Sequence, residues 1–317
     1  MPFRPTHRQL EYVVALDDER HFGRAASRCN VSQPTLSIQV ALLEKQLGAT
    51  LFDRMPGAVE PTPLGRRVVA TARSVLASLD DIVAEAKAGA TSLGGLIRLG
   101  VAPTFGPYFL PRLLPTIHRA YPDLQLYIRE DRPTSIERDV LDGVIDCGLG
   151  PRPRAERLAF RPLCEEGIFL GVPAGHRLDG QGSAGVEDLR GERLLTLGRG
   201  HRLFDSVRDL AAASGAVFVE DYEGTSLDAI RQMVSIGMGC SLFPELYVRS
   251  EFRRENDVLL VPLTGWSGRR SIGFFWRENS GRLRHFEKLA AEGDAIVRAL
   301  ALTGDPLDAM RIARAGG

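Results

Sequence analysis

Lysine is nearly missing from this chain. It stands only at positions 45, 87 and 288, so arginine supplies almost all of the positive charge. Cysteine is scarce too. Cys29, Cys147, Cys164 and Cys240 lie far apart, with no CxxC pair and no metal-ligand spacing, a usage that suits a reducing compartment and implies no metal. Cys147 and Cys240 fall in apolar, strand-like runs, the setting of inert core thiols. Excess charge of either sign is absent, since 40 Lys and Arg balance 40 Asp and Glu; the whole chain gives no electrostatic sign of a nucleic-acid partner. No apolar run approaches bilayer length, and the opening MPFRPTHRQLEY enters an amphipathic helix rather than a signal peptide, which predicts a cytoplasmic protein with no membrane partner. The motifs GxSxG, HExxH and GxxxxGK(S/T) are all lacking and no cysteine adjoins a histidine, which argues against an enzyme and leaves no cofactor to expect.

What the chain does carry is concentrated in residues 21–54, HFGRAASRCNVSQPTLSIQVALLEKQLGATLFDR. They predict two short helices joined by a tight turn, then a basic hairpin. Ala25 and Ala26 are small enough for a second helix to cross closely above them. Val31 plugs the Asn30-Val31-Ser32 turn, and Ser32 caps the following helix by accepting an orphan N–H. Gln33 and Pro34 then fall in the first turn, where a missing N–H costs nothing. Leu36, Val40, Leu43 and Leu47 predict one buried stripe. Gln33, Pro34, Ser37, Ile38 and Ala41 are left on other faces, short enough for the helix to lie deep in a major groove. The pattern is a helix-turn-helix with its recognition helix at about 33–46. Its candidate DNA contacts are Ser32, Gln33, Pro34, Thr35, Ser37, Ile38 and, from the hairpin, Arg54.

Eight basic side chains face seven acidic ones within residues 1–66, so a single such module should grip phosphate weakly. Two or four modules held together regain affinity through effective concentration. Residues 62 to about 88 supply a means of holding them. Thr62 caps a long helix, Pro63 opens it and Gly89 closes it. Leu64, Val68, Thr71, Val75, Ile82 and Ala86 keep nearly coiled-coil spacing, with Leu79 filling the gap, which predicts a dimerisation helix. Residues 89–95, GATSLGG, predict a hinge.

Beyond the hinge, strands predicted at about 96–101, 124–129, 145–149, 167–172, 193–197, 217–222, 239–243, 258–262 and 271–276 alternate with helices at about 106–120, 134–143, 203–214, 226–236 and 282–299. The rhythm implies mostly parallel sheets with ligands at their carboxyl ends, and so many strands imply two lobes. Residues 301–317 form a tail to which the sequence assigns no role.

The first of these segments resembles the DNA-binding domain of the LysR-type transcriptional regulators. Phe22, Ala25-Ala26, Val31-Ser32-Gln33-Pro34, Leu36-Ser37, Leu43-Glu44, Leu47-Gly48, Leu51-Phe52, Arg54, Thr62 and Gly65 all match at fixed offsets. Two departures stand out: no basic residue follows Arg54 in the hairpin, and Ile38 occupies a position that is often polar or basic. The resemblance implies an α+β multi-domain chain. It would comprise a winged helix-turn-helix over 1–61, a dimerisation linker helix over 62–90, and an effector-binding domain over 91–300. That domain would be two-lobed and α/β, similar to type 2 periplasmic solute-binding proteins, with lobe I at about 96–166 and 269–300, and lobe II at about 167–268. The implied partners are double-stranded promoter DNA, a small-molecule effector in the inter-lobe cleft, RNA polymerase, and further copies of the chain in a dimer of dimers.

Within the family, the chain is similar to the OxyR-like, peroxide-sensing branch. The similarity runs through Ala102-Pro103-Thr104, Gly106-Pro107-Tyr108, Leu110-Pro111, Gly200-His201, Thr225-Ser226-Leu227, Arg231, Met233-Val234 and Leu242-Phe243-Pro244. The branch places a peroxide-reactive cysteine directly after the histidine and a resolving cysteine nine residues on. Arg202 and Ala211 stand there, and a guanidinium forms no sulfenic acid, so sensing by that pair is excluded. Arg202 and His201 beside a helix N-terminus instead suggest an anion site, with Thr104, Ser135 and Ser226 adding hydrogen bonds to a small, carboxylate-like effector. The bland alternative pairs an exposed Arg202 with Asp205 or Glu223, leaves His201 structural and makes Ser135 only a cap. The alternative function is a thiol-redox regulator using Cys147, Cys164 or Cys240.

Overall fold

The computed structural model describes residues 4–55, 58–87, 93, 95–179, 181–221, 224, 226–252, 257–266, 268–305 and 308–309, apart from the side chains of 77, 81 and 84–87. Gly89, Ala86's side chain, Glu223, Thr225 and most of the 89–95 hinge lie outside the described residues. The chain divides into two compact units. One holds residues 1–90, with the short segments 141–144 and 280–282 grouped with it, and the other holds the remainder.

In the first unit α1 (His7–Glu19), α2 (Phe22–Arg28) and α3 (Gln33–Leu47) precede a hairpin of β1 (Phe52–Met55) and β2 (Ala58–Pro61), and α4 (Pro63–Lys87) follows. Each helix start has a local cause. Thr6 and Gln9 cap α1 reciprocally. His21 Nδ1 accepts the Gly23 and Arg24 N–H groups at α2, at 3.0 and 3.3 Å. Ser32 Oγ accepts Thr35 N–H at α3, at 3.3 Å. Such a cap stabilises a helix by about 0.5–2 kcal/mol. At α4, Thr62 Oγ1 accepts Gly65 N–H at 2.9 Å and donates to Thr50 O at 3.0 Å, which fixes hairpin and helix together.

Tyr12, Val13, Leu16, Ala25, Ala26, Leu36, Val40, Leu43, Leu51, Phe52, Val69 and Ala72 form the core of this unit. The expected α3 stripe stops one turn early. Leu47 is 39% exposed, because it ends the helix and the chain turns away through Gly48 at φ 66°. Among the described residues of α4, Gly65, Val69 and Ala72 are buried, whereas Leu64, Val75, Leu79, Ile82 and Val83 remain exposed. Gly65 is needed where α4 passes the end of the α3–β1 loop, since a Cβ there would collide with the Leu51 carbonyl oxygen. Arg73 ties α4 to the end of α1 through Asp18 and through Asp17 at 3.0 Å.

The second unit contains β3 (Gly95–Val101), α5 (Gly106–Ala120), β4 (Leu124–Glu130), α6 (Pro133–Leu141), β5 (Cys147–Pro151), β6 (Leu158–Pro173), β7 (Ala184–Gly185), β8 (Arg193–Leu195), α7 (Arg202–Ser214), β9 (Val217–Val219), α8 (Leu227–Ser235), β10 (Cys240–Pro244), α9 (Glu245–Glu251), β11 (Val258–Val261), β12 (Leu263–Thr264), β13 (Arg269–Arg277) and α10 (Leu283–Leu300). Nine strands make one sheet in the order β4-β3-β5-β13-β6-β10-β8-β9, with β11 also on β6. The expected parallel pairing holds only on the flanks, β4-β3-β5 and β10-β8-β9. In the middle, β13 and β6 run antiparallel to their neighbours.

β6 is far longer than the strand expected at 167–172. Arg161, Pro162, Glu165 and Glu166 break the apolar pattern of its first half, and Pro162 is accommodated at a register shift opposite Gly273. The strand joins two hydrophobic clusters, which give the unit its two lobes. Ile97, Leu99, Phe109, Leu149, Phe274, Trp276 and Leu289 belong to one. Leu170, Leu194, Val207, Ile230, Leu242 and Tyr247 belong to the other. The tail after α10 folds back: Thr303 and Gly304 donate N–H bonds to the buried Glu245 carboxylate at 3.0 and 2.8 Å, and Ala309 is buried in the second cluster.

Candidate DNA interface and effector cleft

On the helix-turn-helix, Ser32, Gln33, Pro34 and Thr35 are exposed, Ser37 is half-buried and Ile38 is 64% exposed. An isoleucine so open to water finds no partner in its own fold, while its apolar surface suits a thymine methyl. The Ser32 and Thr35 hydroxyls bond each other at 2.8 Å, so the start of the helix presents a prearranged polar edge. Arg54 on β1 lies with its guanidinium 5.0 Å from the centre of the Phe22 ring and 3.6 Å from Glu44. Glu44 has a role that sequence reasoning missed. Its Oε1 accepts the Leu51 and Phe52 N–H groups at 2.7 and 3.1 Å, pinning the entry to the hairpin while its charge partly offsets Arg54. The tip of the hairpin, Pro56-Gly57, lies outside the described residues.

In the second unit the candidate effector residues separate into two groups. His201, at the N-terminal boundary of α7, is 2% exposed, and neither ring nitrogen has a partner among the described residues. Burial, then the charges of Arg132 and Arg270, lower its pKa to about 4, so the ring is neutral at pH 7. Arg202 opens α7 and pairs with Glu137 of α6 rather than with Asp205, which bonds Arg154; both members of the pair are mostly buried. Thr104 is buried beneath Arg270, whose guanidinium donates to its hydroxyl at 2.8 Å and its carbonyl at 3.0 Å, and to Glu166 at 2.8 Å. Ser135 sits inside the first turn of α6, half-buried, rather than at its cap. Ser226 is the exposed N-cap of α8, its oxygen accepting Ala229 N–H at 3.4 Å. The structure thus gathers Thr104, His201 and Arg202 into a region of buried charge and gives Ser226 a capping task.

Several groups here escaped the sequence reading: Arg132, Glu137, Arg154, Glu166, Thr196 and Arg270. For Glu166 and Arg270 the signal was charge at the edge of strand-like runs, at Glu165-Glu166 and Arg269-Arg270. Arg132, Glu137 and Arg154 reach residues of the other lobe. Arg154 pairs with Asp205 of α7 at 2.8 Å. Arg132 donates to Arg199 O at 3.2 Å and has no carboxylate partner among the described residues. The Thr196 hydroxyl is buried without a partner among the described residues.

All four thiols are shifted away from reactivity. Burial pushes Cys164 and Cys240 up to about 12 and raises Cys29 and the fully buried Cys147. Cys240 also lies near His176 and Glu192, ligand atoms within 4.8 Å of one another. His176 Nδ1 accepts Leu178 N–H at 3.3 Å, so the ring proton sits on Nε2, facing Glu192 at 3.2 Å. A metal on Nε2 would force that proton to Nδ1 and orphan Leu178 N–H. The cluster reads as a hydrogen-bonded one. Among the described residues no helix is long and apolar enough to cross a membrane.

A winged helix-turn-helix joined to a two-lobed α/β domain defines the class of two-domain DNA-binding regulators. Two family models match most of the chain: the bacterial regulatory helix-turn-helix protein, lysR family, over residues 7–66, and the LysR substrate binding domain over residues 90–293. The chain belongs to the LysR family of transcriptional regulators. It is 35% identical over 284 residues to OxyR, a DNA-binding transcriptional dual regulator of Escherichia coli strain K12, covering 89% of this chain and 93% of that protein. It is 31% identical over 284 residues to the regulator EstR of Acinetobacter baylyi, covering 89% of this chain and 94% of that one. Among solved structures, a full-length cysteine-to-aspartate variant of Pseudomonas aeruginosa OxyR superposes with a TM-score of 0.77 at 34% identity, over 92% of this chain and 95% of that chain.

Proposed function

We propose that this protein is a cytoplasmic regulator whose hold on promoter DNA is set by a small anionic effector bound between the lobes of its second unit. The observation that carries the reading is the buried, neutral His201 beside Arg132 and Arg202: among the described residues the His201 ring and Arg202 Nε have no hydrogen-bond partner and Arg132 has no carboxylate. Buried polar groups left open in this way cost about 1–3 kcal/mol each, and a ligand supplying an acceptor to each cation and either a donor or an acceptor to the imidazole relieves them. Thr104 supports that surface from beneath through Arg270, and Ser135 adds a hydroxyl at its α6 edge. The effector domain then acts on DNA heads that contact bases and phosphates through Ser32, Gln33, Pro34, Thr35, Ser37, Ile38 and Arg54. RNA polymerase meets the resulting promoter complex.

Oligomerisation follows from α4. Its exposed row of Val75, Leu79, Ile82 and Val83 continues a groove of about 480 Å³ lined by Arg4, Pro5, Leu10, Leu47, Arg67, Val68, Thr71, Ala72 and Val75. A second copy of α4 covers this apolar surface, and dimers pair into a tetramer on DNA. The raised thiol pKa values weigh against a redox switch at Cys147, Cys164 or Cys240. A thermal-shift screen of small organic acids, followed by footprinting upstream of the protein's own gene, tests the proposal. A ligand that alters the footprint of wild-type protein, and does so equally in a variant with all four cysteines replaced by serine, is the expected result. Loss of the response in that variant would favour the redox reading.

A further inference from the structure

The charges that tie α6 to α7 are arranged so that one of them is easily taken. Glu137 contacts Arg202 with a single oxygen, Oε1, on Nη2. Its other oxygen is held elsewhere, accepting Arg154 N–H at 3.0 Å. Split between two partners, Glu137 cannot turn to face the guanidinium squarely. The neighbouring donor on the same edge, Arg202 Nε, is therefore buried with no partner among the described residues. That edge, Nε with Nη2, is where a carboxylate makes two parallel hydrogen bonds, the stronger arrangement. The helix N-terminus beneath it adds a favourable dipole, and His201 next to it is unpartnered as well.

Resting on the effector reading above, we propose that Arg202 is the receptor for the effector's carboxylate, and that the ligand takes this arginine by displacing Glu137 and so unties α6 from α7. The displaced Glu137 is buried and loses its cation, so it moves toward water and carries α6 with it. Binding and lobe movement become one event, because the ligand's favourable contacts exist only in the untied state.

Acetate is the probe, used with the full chain. Glu137→Ala opens a carboxylate-sized vacancy beside Arg202. Acetate should raise the melting temperature of this variant saturably, with half-saturation at least tenfold lower than in wild type. Adding Arg202→Met to Glu137→Ala should abolish the effect. Glu137→Gln, which keeps the shape and covers the case in which the alanine variant does not fold, should show faster amide exchange over residues 133–141 than wild type. Equal acetate shifts in all variants, or unchanged exchange in Glu137→Gln, would overturn the proposal. The two readings fail differently. No wild-type hit in the acid screen, alongside acetate rescue of Glu137→Ala, sinks the effector reading alone. A wild-type hit that survives Arg202→Met sinks only this one.

Discussion

Removing the titration of His201 should flatten part of the acid sensitivity of the effector domain. The ring is 2% exposed and unpartnered, and its pKa falls from 6.5 to about 4 because of burial first and the facing charges of Arg132 and Arg270 next, with Asp131 opposing them. The unfolded chain takes up a proton below pH 6.5, whereas the folded one refuses it until about 4. The stabilisation is therefore complete above pH 6.5 and is lost as the pH falls through that window. Each pH unit inside the window costs about 1.4 kcal/mol, which makes about 2 kcal/mol at pH 5 and about 3 kcal/mol near pH 4. For a domain of this size, about 2 kcal/mol corresponds to roughly 4–8 °C in melting temperature. Wild type and His201→Asn should be melted as full chains at pH 7.5 and pH 5. Asparagine keeps a polar group but has nothing to titrate, so the wild type should lose about 2 kcal/mol more than the variant between the two conditions. Parallel losses in the two proteins would refute the argument, since they would mean that His201 is solvated or already charged.

Arg270→Met leaves Glu166 fully buried without its cation, and urea unfolding at pH 7.5 should show a loss of about 3–5 kcal/mol. Burial already raises the Glu166 pKa, so this deficit should shrink as the pH falls towards 5 and the carboxyl takes up a proton. Gly65→Ala should lower the stability of the helix-turn-helix unit by about 1–3 kcal/mol, read by melting, because the new methyl group meets the Leu51 carbonyl. Val75→Glu with Ile82→Glu should leave the fold intact, since both side chains are exposed, while sedimentation shows a smaller assembly and gel shifts show weaker DNA binding.

The recognition helix was legible because its determinants are local. Ser32 caps, Pro34 fits the first turn, and Leu36, Val40 and Leu43 repeat on one face, all within a dozen residues of each other. The β-α-β rhythm of the second unit was legible for the same reason. Leu47 and the long strand β6 depart from the sequence pattern for different reasons, one local and one set by a neighbour distant in sequence. Leu47 is left open because α3 ends there, and Glu166 sits within a strand because Arg270, 104 residues away, neutralises it.

The sequence by itself determined the family-defining motif, the helical start signals and the absence of a reactive cysteine after His201, since each is a matter of residue type and spacing. Only the tertiary structure decided the state of the cleft. Whether Arg202 is free or paired, and whether His201 is charged, depends on the distance to Glu137, Arg132 and Arg270 and on how much water remains between them. Those distances are set by how two lobes close on a shared strand, and no local pattern encodes them.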